Sequence, residues 1–149
     1  MTPRSPDADV VQRRLHLMEE SLSDLGLLAD RTADDLAAAP LDRAAAERLI
    51  QVVVDLAVDV NSHLLVSAGE PAPETGRESF HSVAKAGVLT PDLAQRLAPS
   101  AGLRNLLVHR YGDIRLDLLA TGITATLEGY PTYIAQVSAY VLAQEPDAP

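Results

Sequence analysis

The chain has 149 residues with a formal charge of −9, no cysteine, 47% hydrophobic residues and 3% aromatics. One domain of this length can bury a single substantial core, and the Ala, Leu and Val content with few aromatics favours packed helices over a sandwich or barrel. The missing cysteines exclude disulfides, thiolate catalysis and cysteine-based zinc sites, and the acidic balance excludes broad, sequence-independent adhesion to nucleic acid.

Taken in order, the N-terminus MTPRSPDADVVQRR has no apolar stretch of signal-peptide length. From Asp7 to Ala38, apolar residues at Val11, Leu15, Met18, Leu22, Leu25 and Leu28 keep the three-and-four spacing of an amphipathic helix that Pro40 should stop. A central helix is expected after Asp42 as N-cap, running to about Ser67 and ended by Gly69 and the Pro71/Pro73 pair. It is apolar on most faces. Residues 69–76 form the one extended loop.

A short helix is predicted over Arg77–Ala86 with Gly87 closing it, and Thr90-Pro91 reads as N-cap and first helical residue of the next. Pro99 and Gly102 should bend that helix without ending it, so that Leu103, Leu106 and Leu107 still face the core. The last helix is expected from about Asp113 to Ala143, with Pro131 breaking the hydrogen bond to Leu127. Residues 1–7 and 145–149 are expected to be disordered. No uninterrupted apolar run reaches the roughly twenty residues that span a bilayer, so no membrane association and a cytoplasmic location are expected. The fold class is all-α: a single domain, an antiparallel bundle of four to five helices.

The most chemically loaded segment is RNLLVHRY, which places Arg104, Asn105, His109 and Tyr111 within eight residues. A guanidinium can clamp phosphoryl oxygens, an imidazole can carry a proton near neutral pH, and a phenol can accept a modifying group. On an ideal helix Arg104 and His109 stand about 140° apart, whereas Arg104 and Tyr111 fall within about 20°. One straight helix therefore cannot aim the first two at one phosphate. Either the helix loosens near His109 or a second copy completes the site across a twofold axis. Asn105, one turn before His109, could orient its imidazole.

On the central helix Asp55, Asp59 and His63 share one stripe at i, i+4 and i+8. Three readings fit it: a satisfied polar network, an accessory wall of a cleft, or a metal site. Arg77 fits a salt bridge at a helix N-terminus or the edge of a cleft. His16 and His81 look like ordinary surface positions.

Three islands in order carry a wider resemblance: LAVDVNSHLL with Asp59 and His63, RESF followed by KAGVLT, and GLRNLLVHRY. Together they resemble the HepT-like toxins of the HEPN superfamily over about Leu49 to Ile114. That resemblance implies a metal-independent, cofactor-free endoribonuclease toxin of a type VII-like toxin–antitoxin pair, acting as a homodimer on RNA. It implies Arg104 and His109 as catalytic, and Asn105, Asp59 and His63 as supporting. Tyr111 would be the acceptor of AMP from a minimal nucleotidyltransferase antitoxin of the MntA type, whose bulk and charge would occupy the place of the RNA phosphate. Two other functions fit the residues: a non-catalytic nucleotide- or partner-binding module, and a structural helical adaptor.

Overall fold

The computed structural model describes residues 3–109 and 115–145, all of whose regular structure is helical. Six helices follow in order: α1 (Ala8–Gly26), α2 (Ala33–Ala38), α3 (Pro40–Ser67), α4 (Gly76–Lys85), α5 (Pro91–His109) and α6 (Leu116–Gln144). Four are long, and together they make the expected all-α bundle. The core is one continuous cluster, with Val11, Leu15 and Met18 of α1, Ile50, Val53 and Ala57 of α3, and Tyr130, Tyr133 and Val137 of α6 all fully or almost fully buried.

The first expected helix is two. The periodic leucines run on past Gly26, but Thr32 accepts from the Asp35 N–H while the Asp35 carboxylate accepts from the Thr32 N–H. This reciprocal capping box restarts the chain as α2, because satisfying two end donors locally outweighs a continued apolar stripe. Asp42 does not cap α3. Pro40 occupies the first helical position, where its fixed φ and missing N–H cost nothing, and Asp42 lies in the first turn. The expected start of the last helix at Asp113 lies outside the described residues, as do residues 146–149 of the tail.

Gly69 and Gly87 adopt φ of +84° and +85°, the left-handed conformation that closes α3 and α4. At each, the following amide reaches back five residues, Glu70 to the Leu65 carbonyl and Val88 to that of Val83. Thr90 caps α5 as expected, its Oγ1 accepting from the Leu93 N–H at 3.3 Å. Pro99 and Pro131 both sit inside continuous helices.

Arg4, Ser5 and Asp7 fall in the stretch expected to be disordered, yet each is tied down. The Arg4 amide donates to the Ser67 carbonyl at 2.7 Å, Ser5 Oγ to the Gln144 carbonyl at 3.0 Å, and the Asp7 amide to His63 Nε2 at 3.0 Å. The α3 helix is long and apolar enough by length and composition to cross a bilayer, its acidic and basic residues being spread too thinly to lower its mean hydropathy. In the fold it is the core helix, packing against every other helix.

A buried polar chain joins α3 to α4 and α6. Tyr133 Oη lies 2.7 Å from Asn61 Oδ1 and 3.0 Å from the Ala57 carbonyl, Asn61 Nδ2 donates to Ser79 Oγ at 3.0 Å, and Ser79 Oγ donates to the Gly76 carbonyl at 2.6 Å. Phe80, Tyr130 and Tyr133 stack edge to face around it at 5.7 to 6.5 Å. Buried amides and hydroxyls are tolerable only when so paired. The chain ends on Gly76, and so fixes the first residue of α4 relative to α3.

Candidate functional site

Gly76 is the floor of a groove where α3, α4 and α5 meet. A Cβ there would stand 3.1 Å from Val58 Cγ2 and 3.4 Å from Ala101 Cβ, so any side chain would require Val58 to give by a few tenths of an ångström, and glycine lets the start of α4 settle against both neighbours without that shift. The groove encloses about 420 Å³; its apolar base includes Val54, Val58 and Ala101, and its polar walls are Asp55 and Asp59 of α3 and Arg104 and Asn105 of α5. A second cavity of about 310 Å³ between α5 and α6 has mainly apolar walls, among them Leu103, Leu106 and Leu118. Polar chemistry is concentrated in the first.

Arg104 is held by its neighbours. Its Nε donates to Asp55 Oδ1 at 2.6 Å and its Nη2 to Asp55 Oδ2 at 3.4 Å, while its Nη1 donates to Asn105 Oδ1 at 3.4 Å. With side chains 28% and 41% exposed, the Arg104–Asp55 pair contributes at most about 1 kcal/mol to folding. Its consequence is orientation. A guanidinium has five N–H groups, so one on each terminal nitrogen has no partner among the described residues.

His109 is the last residue of α5 and is exposed. The helix stays regular up to it, so the loosening that would swing the imidazole towards Arg104 is not seen, and His109 does not line the groove. Asn105 is bonded to Arg104, and no hydrogen bond joins it to His109 among the described residues. Tyr111 lies outside the described residues.

The polar stripe on α3 divides. Asp55 meets Arg104, and Asp59 lines the groove as an exposed carboxylate. His63 is brought instead to the N-terminus of α1, where its Nε2 accepts the Asp7 amide. Its pKa lies below the ordinary imidazole value because burial disfavours the cation; the Asp7 carboxylate pulls the other way, and Arg14 and Arg4 add to the lowering. A ring that accepts at Nε2 carries its proton on Nδ1. Arg77 makes no ion pair among the described residues; its Nη1 lies beside Gly102, 4.0 Å from where a Cβ would stand, one short step along α5 from Arg104.

Asp55 is the groove residue that sequence reasoning did not rank as a site residue. The stripe spacing contained it. What was missing was its partner, because only the packing of α5 across α3 brings position 104 to position 55.

The profile of the family described as "Ribonuclease HepT-like" matches residues 18–137. The chain is 34% identical over 136 residues to the tRNA nuclease HepT of Aphanizomenon flos-aquae, covering 91% of this chain and 92% of that one. It is 27% identical over 90 residues to the mRNA nuclease HepT of Shewanella oneidensis, covering 60% and 68%. Among solved structures, the fold is similar to the tri-AMPylated HEPN toxin of Shewanella oneidensis in complex with its MNT antitoxin, with a TM-score of 0.79, 19% identity and coverage of 89% and 99%. It is also similar to the Bacillus subtilis protein YutE, with a TM-score of 0.81, 16% identity and coverage of 97% and 98%. With a profile match over most of its length and a relative aligned nearly end to end, this chain belongs to the ribonuclease HepT-like family.

Proposed function

We propose that the protein is a metal-independent endoribonuclease toxin that acts as a homodimer. The observation that carries this reading is the Asp55-oriented Arg104, set with Asn105 in a polar groove on the helix that ends at exposed His109. The 34% identity to a tRNA nuclease supports the same reading.

In the reaction, the ribose 2′-oxygen attacks the adjacent phosphorus and the bond from phosphorus to the 5′-oxygen breaks, leaving a 2′,3′-cyclic phosphate and a 5′-hydroxyl. The imidazole of His109 takes the 2′-hydroxyl proton or returns one to the leaving oxygen. Arg104 stabilises the doubly charged phosphorane through its uncommitted N–H groups, the kind of charge stabilisation that often dominates a catalysed step. Arg104 in its groove and His109 at the helix end do not converge within one protomer, which favours a site shared by two copies.

Regulation follows the same chemistry. A minimal nucleotidyltransferase antitoxin of the MntA type transfers AMP from ATP to the Tyr111 hydroxyl, releasing pyrophosphate, and the added adenylate excludes RNA. The tri-AMPylated toxin with its MNT antitoxin is the similar structure that supports this.

Two experiments test the reading. His109→Ala should abolish cleavage of transfer RNA and growth inhibition with helical circular dichroism unchanged; normal activity would reject the assignment. Mixing inactive Arg104→Ala and His109→Ala subunits should then restore a substantial fraction of activity. No recovery from demonstrated mixed dimers would reject the shared site.

A further inference from the structure

The geometry points to Asp55 as a positioning residue for the reaction, one that sets the roll of the Arg104 guanidinium and leaves its distal fork for the RNA phosphate. The inference rests on the ribonuclease reading and adds a residue to it. Arg104 rises from α5 and Asp55 from the middle of α3, forty-nine positions earlier, and the contact is two-point: Nε to Oδ1 at 2.6 Å and Nη2 to Oδ2 at 3.4 Å. This side-on engagement uses the inner edge of the guanidinium. Nη1, at the far corner, has only Asn105 Oδ1 as a hydrogen-bond partner among the described residues, at 3.4 Å.

A freely rotating arginine in a groove of about 420 Å³ would sample many orientations, few of which present two parallel N–H groups to one phosphate. Two hydrogen bonds donated to one carboxylate remove rotation about the Cδ–Nε axis and fix the guanidinium plane. Orientation achieved before substrate binds raises the rate of the chemical step, since the reorganisation is not repeated at each turnover. The same carboxylate also opposes the phosphate's charge. Asp55 therefore weakens RNA binding while strengthening turnover, a combination that a purely structural residue would not produce.

The buried polar chain explains why the distance is held. Tyr133, Asn61 and Ser79 connect α6, α3 and the first residue of α4 beneath the groove, and the close fit of Gly76 against Val58 and Ala101 sets how near α3 and α5 approach. Asp55 stands one turn before Val58 and Arg104 one turn after Ala101. The pair closes the groove at the level those contacts define.

Steady-state cleavage of unfractionated transfer RNA by the full-length protein gives the test, together with the side-chain Nε–H resonance of Arg104 assigned by its loss in Arg104→Lys. For Asp55→Asn, kcat should fall at least tenfold while KM stays the same or decreases, with Tm unchanged and the slowly exchanging Nε–H signal lost. Asp55→Glu should recover part of kcat and the protected signal. Asp42→Asn, which breaks an exposed pair with Arg31 near the start of α3, should leave both constants as in the parent. A parental kcat in Asp55→Asn, or a loss of kcat accompanied by a lower Tm that Asp55→Glu does not repair, overturns the inference while the ribonuclease reading stands. If the parent itself cleaves no RNA, that reading fails, and the arginine resonance alone decides whether Asp55 holds Arg104: an unprotected Nε–H overturns the inference.

Discussion

At Asp55, Asp59 and His63, three polar side chains on one helical stripe face three different environments, because each meets a different neighbouring element. His63 shows the consequence most directly. Its neutral ring accepts the Asp7 amide beside the N-cap of α1, and protonation would both remove that acceptor and place a partly buried cation near Arg4 and Arg14. Its folded-state pKa lies below the ordinary 6.5, so between that lower value and 6.5 the unfolded chain binds more protons than the folded one. The stabilisation is thus present above pH 6.5 and is lost as pH falls from there towards the folded-state value. Thermal melts of the parent and of His63→Gln, compared from pH 7.5 to about 5, should show a steeper fall in Tm for the parent. Parallel curves would mean that His63 does not titrate with unfolding.

At the scale of elements, α5 and α6 approach closely because α6 has glycine where leucines of α5 press against it. A Cβ on Gly129 would stand 2.7 Å from Leu97 Cδ2, and one on Gly122 would stand 2.4 Å from Leu103 Cδ2. The shorter distance is the less harmful one. Both leucines border the cavity between α5 and α6, but Leu103 is half-buried and free to rotate away, whereas Leu97 is 3% exposed and packed into the core. Replacing helical glycine by alanine gains about 1 kcal/mol of helix propensity. Overpacking a filled core costs about 1–3 kcal/mol. Gly129→Ala should therefore be destabilising by about 1 kcal/mol, lowering Tm by about 3 °C. Gly122→Ala should be neutral or slightly stabilising. Calorimetry on both checks the contrast, and an equal loss in the two would show that Leu103 is as confined as Leu97.

Over the whole molecule, a net charge of −9 constrains how RNA can be held. Broad electrostatic adhesion is excluded, and the groove itself presents Asp55 and Asp59 beside Arg104. Binding must depend on one or two well-placed phosphate contacts. For single-stranded RNA each neutralised phosphate contributes about −0.7 to the slope of log affinity against log salt, so a slope of about −0.7 to −1.4 is expected. Fluorescence anisotropy with the His109→Ala protein, under the proposal that this variant does not cleave, measures it. A slope of about −4 or steeper would reveal an extended basic surface that the charge distribution does not suggest.

The sequence by itself determined the all-α class, the places where most helices start and stop, and the family. Those signals are local. Apolar periodicity, Thr90-Pro91, Gly69 and Gly87 act through hydrogen bonds and dihedrals within a few residues of themselves, and the motif islands can be read without knowing where they lie in space. Where two local signals competed, as between the leucine stripe and the Thr32–Asp35 capping box, periodicity alone chose one helix and the chain makes two. Only the tertiary structure decided which polar residues meet. Arg104 and Asp55 are joined, His63 is drawn away to the N-terminus of α1, and His109 is left at the end of α5, because those outcomes depend on the distance and rotation between packed helices. Those quantities are set by Gly76, Gly129 and the buried Asn61–Tyr133 contact acting together, and no single stretch of the chain encodes them.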